Sequence, residues 1–136
     1  MFKKNISILI STAICSVIIY QSILIAPLIN KYLNTSDASI LLRILWPKFF
    51  IVILILSLIS IVFNFYNEVN FKKNFLFQII SIISMVICLI LTPYMNELID
   101  KGNIDFWIIL HLSTITLTLV TLIVNLLLIF LWKFKV

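Results

Sequence analysis

Few side chains in this sequence of 136 residues could bind a metal, carry a proton or react, and they lie within hydrophobic stretches. His111 is the single histidine, and it stands five residues inside an apolar run that begins at Phe106. An imidazole in that setting can ligate haem or a metal, relay a proton, or hydrogen-bond a hydroxyl group on a neighbouring helix. The sequence leaves all three roles open, and the hydrogen bond is the simplest.

Three sulfur-containing residues are weak candidates for a metal site. Cys15, Met85 and Cys88 carry soft ligand atoms suited to Cu(I). The same residue types also fill apolar cores without any ligand. The sequence contains no CxxC pair, P-loop, nucleophile elbow or zinc-binding HExxH motif. It therefore names no cofactor and no catalytic residue, and we do not expect an enzyme.

The composition is that of a membrane protein. Hydrophobic residues make up 63% of the chain and charged residues only 11%, with a mean hydropathy of +1.24. Soluble domains hold about 45–50% apolar and about 25% charged residues. The net charge of +5 comes from residues at the ends of apolar segments, so a lipid bilayer is the expected partner and nucleic acid is not.

Four apolar segments are long enough to cross about 30 Å of hydrocarbon, which takes about 20 residues. Backbone groups in lipid must be hydrogen-bonded within their own segment, so each segment is predicted to be a helix. We predict one all-α domain over residues 1–136, a four-helix bundle with left-handed antiparallel packing. The predicted spans are residues 6–29, 46–65, 75–94 and 106–132.

The segment between the first two predicted spans shows helical spacing of its own. Its apolar residues Ala38, Leu41, Leu42 and Leu45 recur at i, i+3, i+4 and i+7. This pattern favours a short amphipathic helix over residues 36–45 with Ser36 as its cap, lying on the membrane surface. Pro47 would then begin the second span or kink a helix continuous with this one. A simple loop is the alternative.

Lysine and arginine residues are distributed unevenly between the two sides of the predicted bundle. One side carries Lys3, Lys4, Lys72, Lys73, Lys133 and Lys135, opposed only by Glu68; the other carries Lys31, Arg43, Lys48 and Lys101 together with Asp37, Glu97, Asp100 and Asp105. The positive-inside rule places both termini in the cytoplasm. We expect an integral protein of a bacterial cytoplasmic membrane, with Tyr66 and Trp132 at its inner interface.

The few polar residues within the spans follow steps of three and four, which place them on one stripe of each helix. The stripes are His111, Thr114, Thr118, Thr121 and Asn125; Gln78, Ser81, Met85, Cys88 and Thr92; Ser57, Ser60, Asn64 and Asn67; and Ser11, Cys15 and Ser22. Membrane helices pack through such small and polar residues, so we predict that each stripe faces the bundle interior. Packing alone, or a path for a ligand along the same axis, would explain this polar seam.

Three short stretches resemble the small four-span family typified by transmembrane protein 205, which is catalogued largely as a domain of unknown function. They are Ala26-Pro27 with residues 41–50, Thr92-Pro93-Tyr94-Met95-Asn96, and Phe106 through Leu110-His111-Leu112-Ser113. Here the serine follows the histidine by two residues, and Thr114 takes its usual place. The resemblance implies a four-helix membrane domain in which Pro27, Arg43, Pro47, Pro93 and His111 matter. It implies no reaction.

Three functions fit these observations. The first is a small membrane protein that acts by interaction, or by handling a small solute or ion, with the polar seam as its working surface. The second is a haem- or metal-binding redox protein that uses His111 as a ligand. The third is an accessory subunit of a larger complex, for which a protein partner or a homo-oligomer is expected.

Overall fold

The structure is a computed structural model that describes residues 6–65 and 71–133. Within these ranges the chain folds into four helices, each long and apolar enough to cross a membrane. The predicted all-α, four-helix architecture is confirmed. The helices are α1 (Ile6–Tyr32), α2 (Thr35–Phe65), α3 (Phe71–Asp100) and α4 (Ile104–Lys133).

The helices form a closed ring in which each packs against its neighbours in the chain and α1 also packs against α4. Residues 33–34 and 101–103 make two short turns at one end, which we call the loop end. The opposite end, where α1 begins and α4 stops, is the terminal end. Several residues used to predict orientation lie outside the described residues: Lys3, Lys4, Tyr66, Glu68 and Lys135. Asn67 of the predicted polar stripe also lies outside them.

Helix α2 is longer than its predicted span because residues 36–45 belong to it. Its 31 residues extend about 46 Å at 1.5 Å per residue, against about 30 Å of hydrocarbon. The segment is helical, as the apolar spacing indicated, so the loop alternative is wrong; it is continuous with the second span instead of forming a separate helix on the membrane surface. Pro47 lies inside the helix and removes only one backbone donor, a loss that membrane helices tolerate.

Both helices that follow a turn are capped by asparagine. Asn34 Oδ1 accepts the backbone N–H of Asp37 at 2.8 Å, and Asn34 Nδ2 donates to Asp37 Oδ2 at 2.9 Å. Asn34 is therefore the cap of α2, which corrects the assignment of that role to Ser36. Asn103 Oδ1 accepts the backbone N–H of Phe106 at 3.4 Å in the same way. Asparagine is among the best N-cap residues, since its side chain satisfies an otherwise unpaired donor.

Helix α3 continues through Pro93 and ends at Asp100, six residues beyond its predicted span. The turn that follows depends on Gly102, the single glycine of the chain, whose φ is 71°. The N–H of Gly102 donates to the carbonyl of Ile99, and that of Asn103 donates to the carbonyl of Leu98, at 2.9 Å each. This is the Schellman arrangement, which favours glycine at the left-handed position.

Helix α1 changes its hydrogen-bonding register halfway along. Residues Tyr20–Ile25 are π-helical, and the N–H of Ala26 donates to the carbonyl of Gln21. Pro27 follows directly, and its ring would collide with the carbonyl four residues earlier in a regular α-helix. The wider π turn coincides with the position of that collision, whereas Pro47 and Pro93 lie in α-helical segments. Close packing of α1 against α4 comes from Ile6–Ile19, so the second half of α1 diverges from α4.

Candidate functional site

The bundle interior is divided into three levels along its axis. A cavity occupies the loop-end half, a layer of apolar side chains fills the middle, and a set of polar side chains fills the terminal-end half. The same order holds along α1, where Ile18 lines the cavity, Ile14 is fully buried in the middle and Ser11 is polar.

The cavity has a volume of about 830 Å³ and is lined by residues of all four helices. Its deepest lining residues include Ile18, Phe50 and Leu122. It lies where the second half of α1 diverges from α4, and the exposed Ile23 and Leu119 line it from those two helices. The divergence that begins at the π-helical segment therefore opens the cavity.

The hydroxyl groups in the cavity wall are already engaged. Thr92, Thr114 and Thr118 each donate to a carbonyl of their own helix at 2.8 Å. Their oxygens remain available only as acceptors. The middle of the cavity therefore presents methyl groups and few free donors to a ligand.

The rim of the cavity carries an ion pair between two helices. Arg43 of α2 donates from Nη1 to Asp100 Oδ2 at 3.1 Å and from Nη2 to Asp100 Oδ1 at 2.6 Å. This bidentate geometry orients the guanidinium group across the α2–α3 boundary. Both side chains remain partly in contact with solvent. A guanidinium group has five N–H donors, so Arg43 keeps donors for a further partner.

His111 lines the cavity beside Trp107, one helical turn nearer the loop end. The two rings are stacked, with centroids 4.8 Å apart and an interplanar angle of 9°. Among residues 6–65 and 71–133, no side chain is hydrogen-bonded to the imidazole nitrogens. The expected interhelical hydrogen bond of His111 is thus absent from this part of the chain, and the imidazole remains able to bind a ligand in the cavity.

The middle level is an apolar septum made by three side chains with no solvent exposure. These are Ile14 of α1, Ile53 of α2 and Met85 of α3. They separate the cavity from the polar residues beyond. No residue of the septum lines the cavity.

The three sulfur candidates are not drawn to one point. The thiol of Cys15 lies 3.9 Å from the carbonyl oxygen of Leu122, and that of Cys88 lies 3.8 Å from the carbonyl oxygen of Thr114. These carbonyls are eight residues apart on α4, or about 12 Å along the axis. In the described ranges, no group of three or more His, Cys, Asp and Glu side chains could hold a metal ion.

The terminal-end level, which we call the polar layer, gathers eight buried polar side chains from all four helices: Ser7, Ser11, Ser57, Ser60, Asn64, Gln78, Ser81 and Asn125. Gln78 Nε2 donates to Ser11 Oγ at 3.4 Å and to Asn125 Oδ1 at 3.2 Å. Asn125 Nδ2 donates to Ser81 Oγ at 3.0 Å. Ser7 Oγ donates to Asn64 Oδ1 at 2.6 Å. The layer thus joins α1 to the other three helices.

The polar seam is divided between these levels. Thr114, Thr118 and His111 face the cavity, whereas Asn64, Gln78 and Asn125 belong to the polar layer. Ser22 is exposed and lines the cavity, while its neighbour Gln21 is buried instead.

Sequence reasoning missed two partners at the rim. Trp107 lies four residues before His111, and the i, i+4 rule for helix surfaces could have identified their contact. Asp100 was counted only as a charge, since nothing in the sequence pairs it with Arg43 over 57 residues. The three prolines lie within helices, and none of them lines the cavity.

The four apolar helices and their closed ring define an integral membrane protein built as a four-helix bundle in contact with lipid. Residues 9–104 match a family described as a domain of unknown function (DUF4149). The match covers more than two thirds of the chain, which therefore belongs to that family. No curated protein and no solved structure matches the chain. The matched range includes Arg43 and stops before His111.

Proposed function

We propose that this protein binds one small amphipathic molecule from the membrane in the loop-end cavity. The observation that supports this most directly is the cavity itself. Its volume of about 830 Å³ falls within the range of about 300–1,000 Å³ typical of small-molecule sites. The septum beneath it favours a binding pocket over a continuous channel, so solute handling here begins with binding.

The chemistry of the lining supports an amphipathic ligand. The deep part offers Ile18, Phe50 and Leu122, which suit an alkyl chain or a ring. The rim offers Arg43 and His111 with free donors, which suit a polar or anionic head group. The ligand would lie with its apolar part toward the septum and its head group near the loop end.

The opening between α1 and α4 supports entry from the lipid phase. Ile23 and Leu119 flank this side of the cavity and are 66% and 52% exposed. In a bilayer these exposed apolar side chains contact acyl chains. A ligand dissolved in the membrane would therefore reach the cavity sideways, without passing through water.

We further propose that the loop end faces outward and both termini lie in the cytoplasm of a bacterial cell. The lysines at the terminal end, including Lys72 and Lys73 at the start of α3, support this orientation under the positive-inside rule. The cavity would then open to the outer leaflet.

We also propose that the family matched here is the one typified by transmembrane protein 205. In support, the matched range contains Pro27, Arg43, Pro47 and Pro93, which belong to the stretches that resemble that family.

Two native tryptophans make the binding proposal testable. Trp46 and Trp107 line the cavity, while Trp132 is near the opposite end of α4. The protein carrying Trp132→Phe, reconstituted in bilayers, would be titrated with a dibrominated C18 fatty acid, whose bromine atoms quench tryptophan at contact. We expect saturable quenching that an unbrominated C18 fatty acid reverses. Linear quenching by the bulk membrane alone would refute the proposal.

A matched pair of variants identifies the site. Ala26 lines the cavity from α1, and Ala13 lies on the same helix outside it. Ala26→Phe fills the cavity and should weaken binding at least tenfold, whereas Ala13→Phe should leave it unchanged. Equal effects of the two variants would place the fatty acid elsewhere. Saturable quenching that Ala26→Phe does not alter would likewise exclude the cavity.

A further inference from the structure

Four atoms of the polar layer are buried and have no hydrogen-bond partner among the described residues. They are Ser57 Oγ, Ser60 Oγ, Asn64 Nδ2 and Gln78 Oε1. The four side chains are between 0% and 2% exposed. A buried polar atom without a partner is costly and rare in native proteins, and an unseen water molecule or ion is a common explanation. Four in one region therefore indicate a ligand.

These atoms belong to one part of the bundle. Ser57, Ser60 and Asn64 occupy positions i, i+3 and i+7 of α2 and so share one face of that helix. Asn64 is bonded to Ser7 of α1, and Gln78 is bonded to Ser11, one turn further along α1. Asn64 and Gln78 are thus bonded to positions one helical turn apart on α1, which brings both residues to the same region of the bundle.

Rearranging the side-chain amides does not remove the unpaired atoms. Rotating the Asn64 amide by 180° lets Nδ2 reach Ser7 but leaves Oδ1 without a partner. Rotating the Gln78 amide sets its oxygen against Asn125 Oδ1, which now accepts from Gln78 Nε2. Asn125 cannot follow, because its Nδ2 already donates to Ser81 Oγ and to the carbonyl of Thr121.

The unpaired set also defines the kind of ligand. It combines a pure donor, a pure acceptor and two hydroxyl groups that can serve as either. The polar layer contains no charged side chain, so a charged ligand would be desolvated there without compensation. Water is small, uncharged, and both a donor and an acceptor.

We propose that the polar layer is an internal water site that bridges Asn64 Nδ2 to Gln78 Oε1 and extends to Ser57 and Ser60. This site is distinct from the amphiphile cavity, since the septum lies between them. It also changes the role of the seam: its terminal-end half holds water rather than serving packing alone. The bundle would then enclose two separate compartments, one apolar and open to lipid, the other polar and occluded.

Water-edited solid-state NMR on the full-length, ¹⁵N-labelled protein in bilayers tests this proposal. The measured quantity is the rate at which magnetisation passes from water to each side-chain amide. Asn125 is the internal control, because protein atoms occupy both its oxygen and its nitrogen. We expect transfer to the Asn64 amide to be at least threefold faster than transfer to the Asn125 amide. Equal, slow transfer at both would overturn the proposal.

A variant separates an internal water site from water that reaches Asn64 from the membrane surface. Gln78→Leu removes the acceptor, so transfer to Asn64 should fall to the rate measured for Asn125 in the unsubstituted protein, where Gln78 still occupies the Asn125 oxygen. An unchanged Asn64 rate would mean that surface water is responsible, and the internal site would be refuted. If this variant does not fold, Ser57→Ala with Ser60→Ala serves the same purpose, with an expected fall of at least twofold and an unchanged rate as the refuting result.

Discussion

Replacing Asn125 by leucine should destabilise the bundle by a calculable amount. Asn125 is fully buried and makes two interhelical hydrogen bonds, with Gln78 at 3.2 Å and Ser81 at 3.0 Å. Such bonds in membranes average about 0.6 kcal/mol and reach about 1.7 kcal/mol. Leucine is similar in size, so little cavity term is added. We expect a loss of about 1.2 kcal/mol and no more than about 3.4 kcal/mol.

The two former partners support this estimate, because each keeps another bond. Gln78 Nε2 still donates to Ser11, and Ser81 Oγ still donates to the carbonyl of Phe77.

The assay measures the free energy of unfolding in mixed micelles that are titrated with SDS, with helix content followed by circular dichroism. Thr116→Leu is the control, since Thr116 is exposed on the same helix and bonds only to Leu112.

The result that would refute this reasoning is an Asn125→Leu protein as stable as the Thr116→Leu protein. A double-mutant cycle sharpens the test further. Combining Asn125→Leu with Gln78→Leu should give a coupling energy of about 0.6 kcal/mol, the value of their shared bond. A coupling of zero would show that the two amides do not interact.

Three further predictions concern the loop end and the orientation. Arg43→Gln should lower the melting temperature at low salt, and by less near 1 M salt, because screening already weakens the Arg43–Asp100 pair there. Lys101→Gln breaks a local pair between the turn and the end of α3, so it should lower the melting temperature less. The reverse order would contradict the interhelical role of Arg43. Gly102→Ala should lower the unfolding free energy by about 1 kcal/mol, because alanine is strained at φ 71° although open space surrounds the position. Gly102→Asn should lower it less, and equal losses for the two variants would argue against the left-handed turn. A reporter fused after Val136 should be active only in the cytoplasm, and periplasmic activity would overturn the proposed orientation.

The helices could be predicted because the bilayer imposes one rule on every backbone group. Isoleucine-rich runs such as residues 51–61 favour strands in water, yet lipid requires internal hydrogen bonds. The ends of the helices were harder to predict, since hydropathy marks only the apolar part. Residues 36–45 and the segment after Pro93 carry charges and still remain helical. Hydropathy therefore defined the membrane-crossing part and missed the helical extensions.

The cavity could not be predicted in the same way. The three-and-four spacing correctly indicated which faces are buried in α2, α3 and α4. It could not show that α1 changes register at Tyr20–Ile25, since a π turn depends on local strain beside Pro27 rather than on periodicity. The cavity follows from that departure. Handedness of the helix packing stays a prediction.

The septum has a consequence for how a membrane voltage would act on this protein. On α1 the distance from Ser11 in the polar layer to Ile18 at the cavity floor is seven residues, about 10 Å. With water on one side and a polar head group at the mouth of the other, this weakly polarisable stretch would take a larger share of the potential per ångström than the polar regions beside it. The local electric field would then be stronger than the average over about 30 Å of hydrocarbon. Met85 lies where that field is strongest.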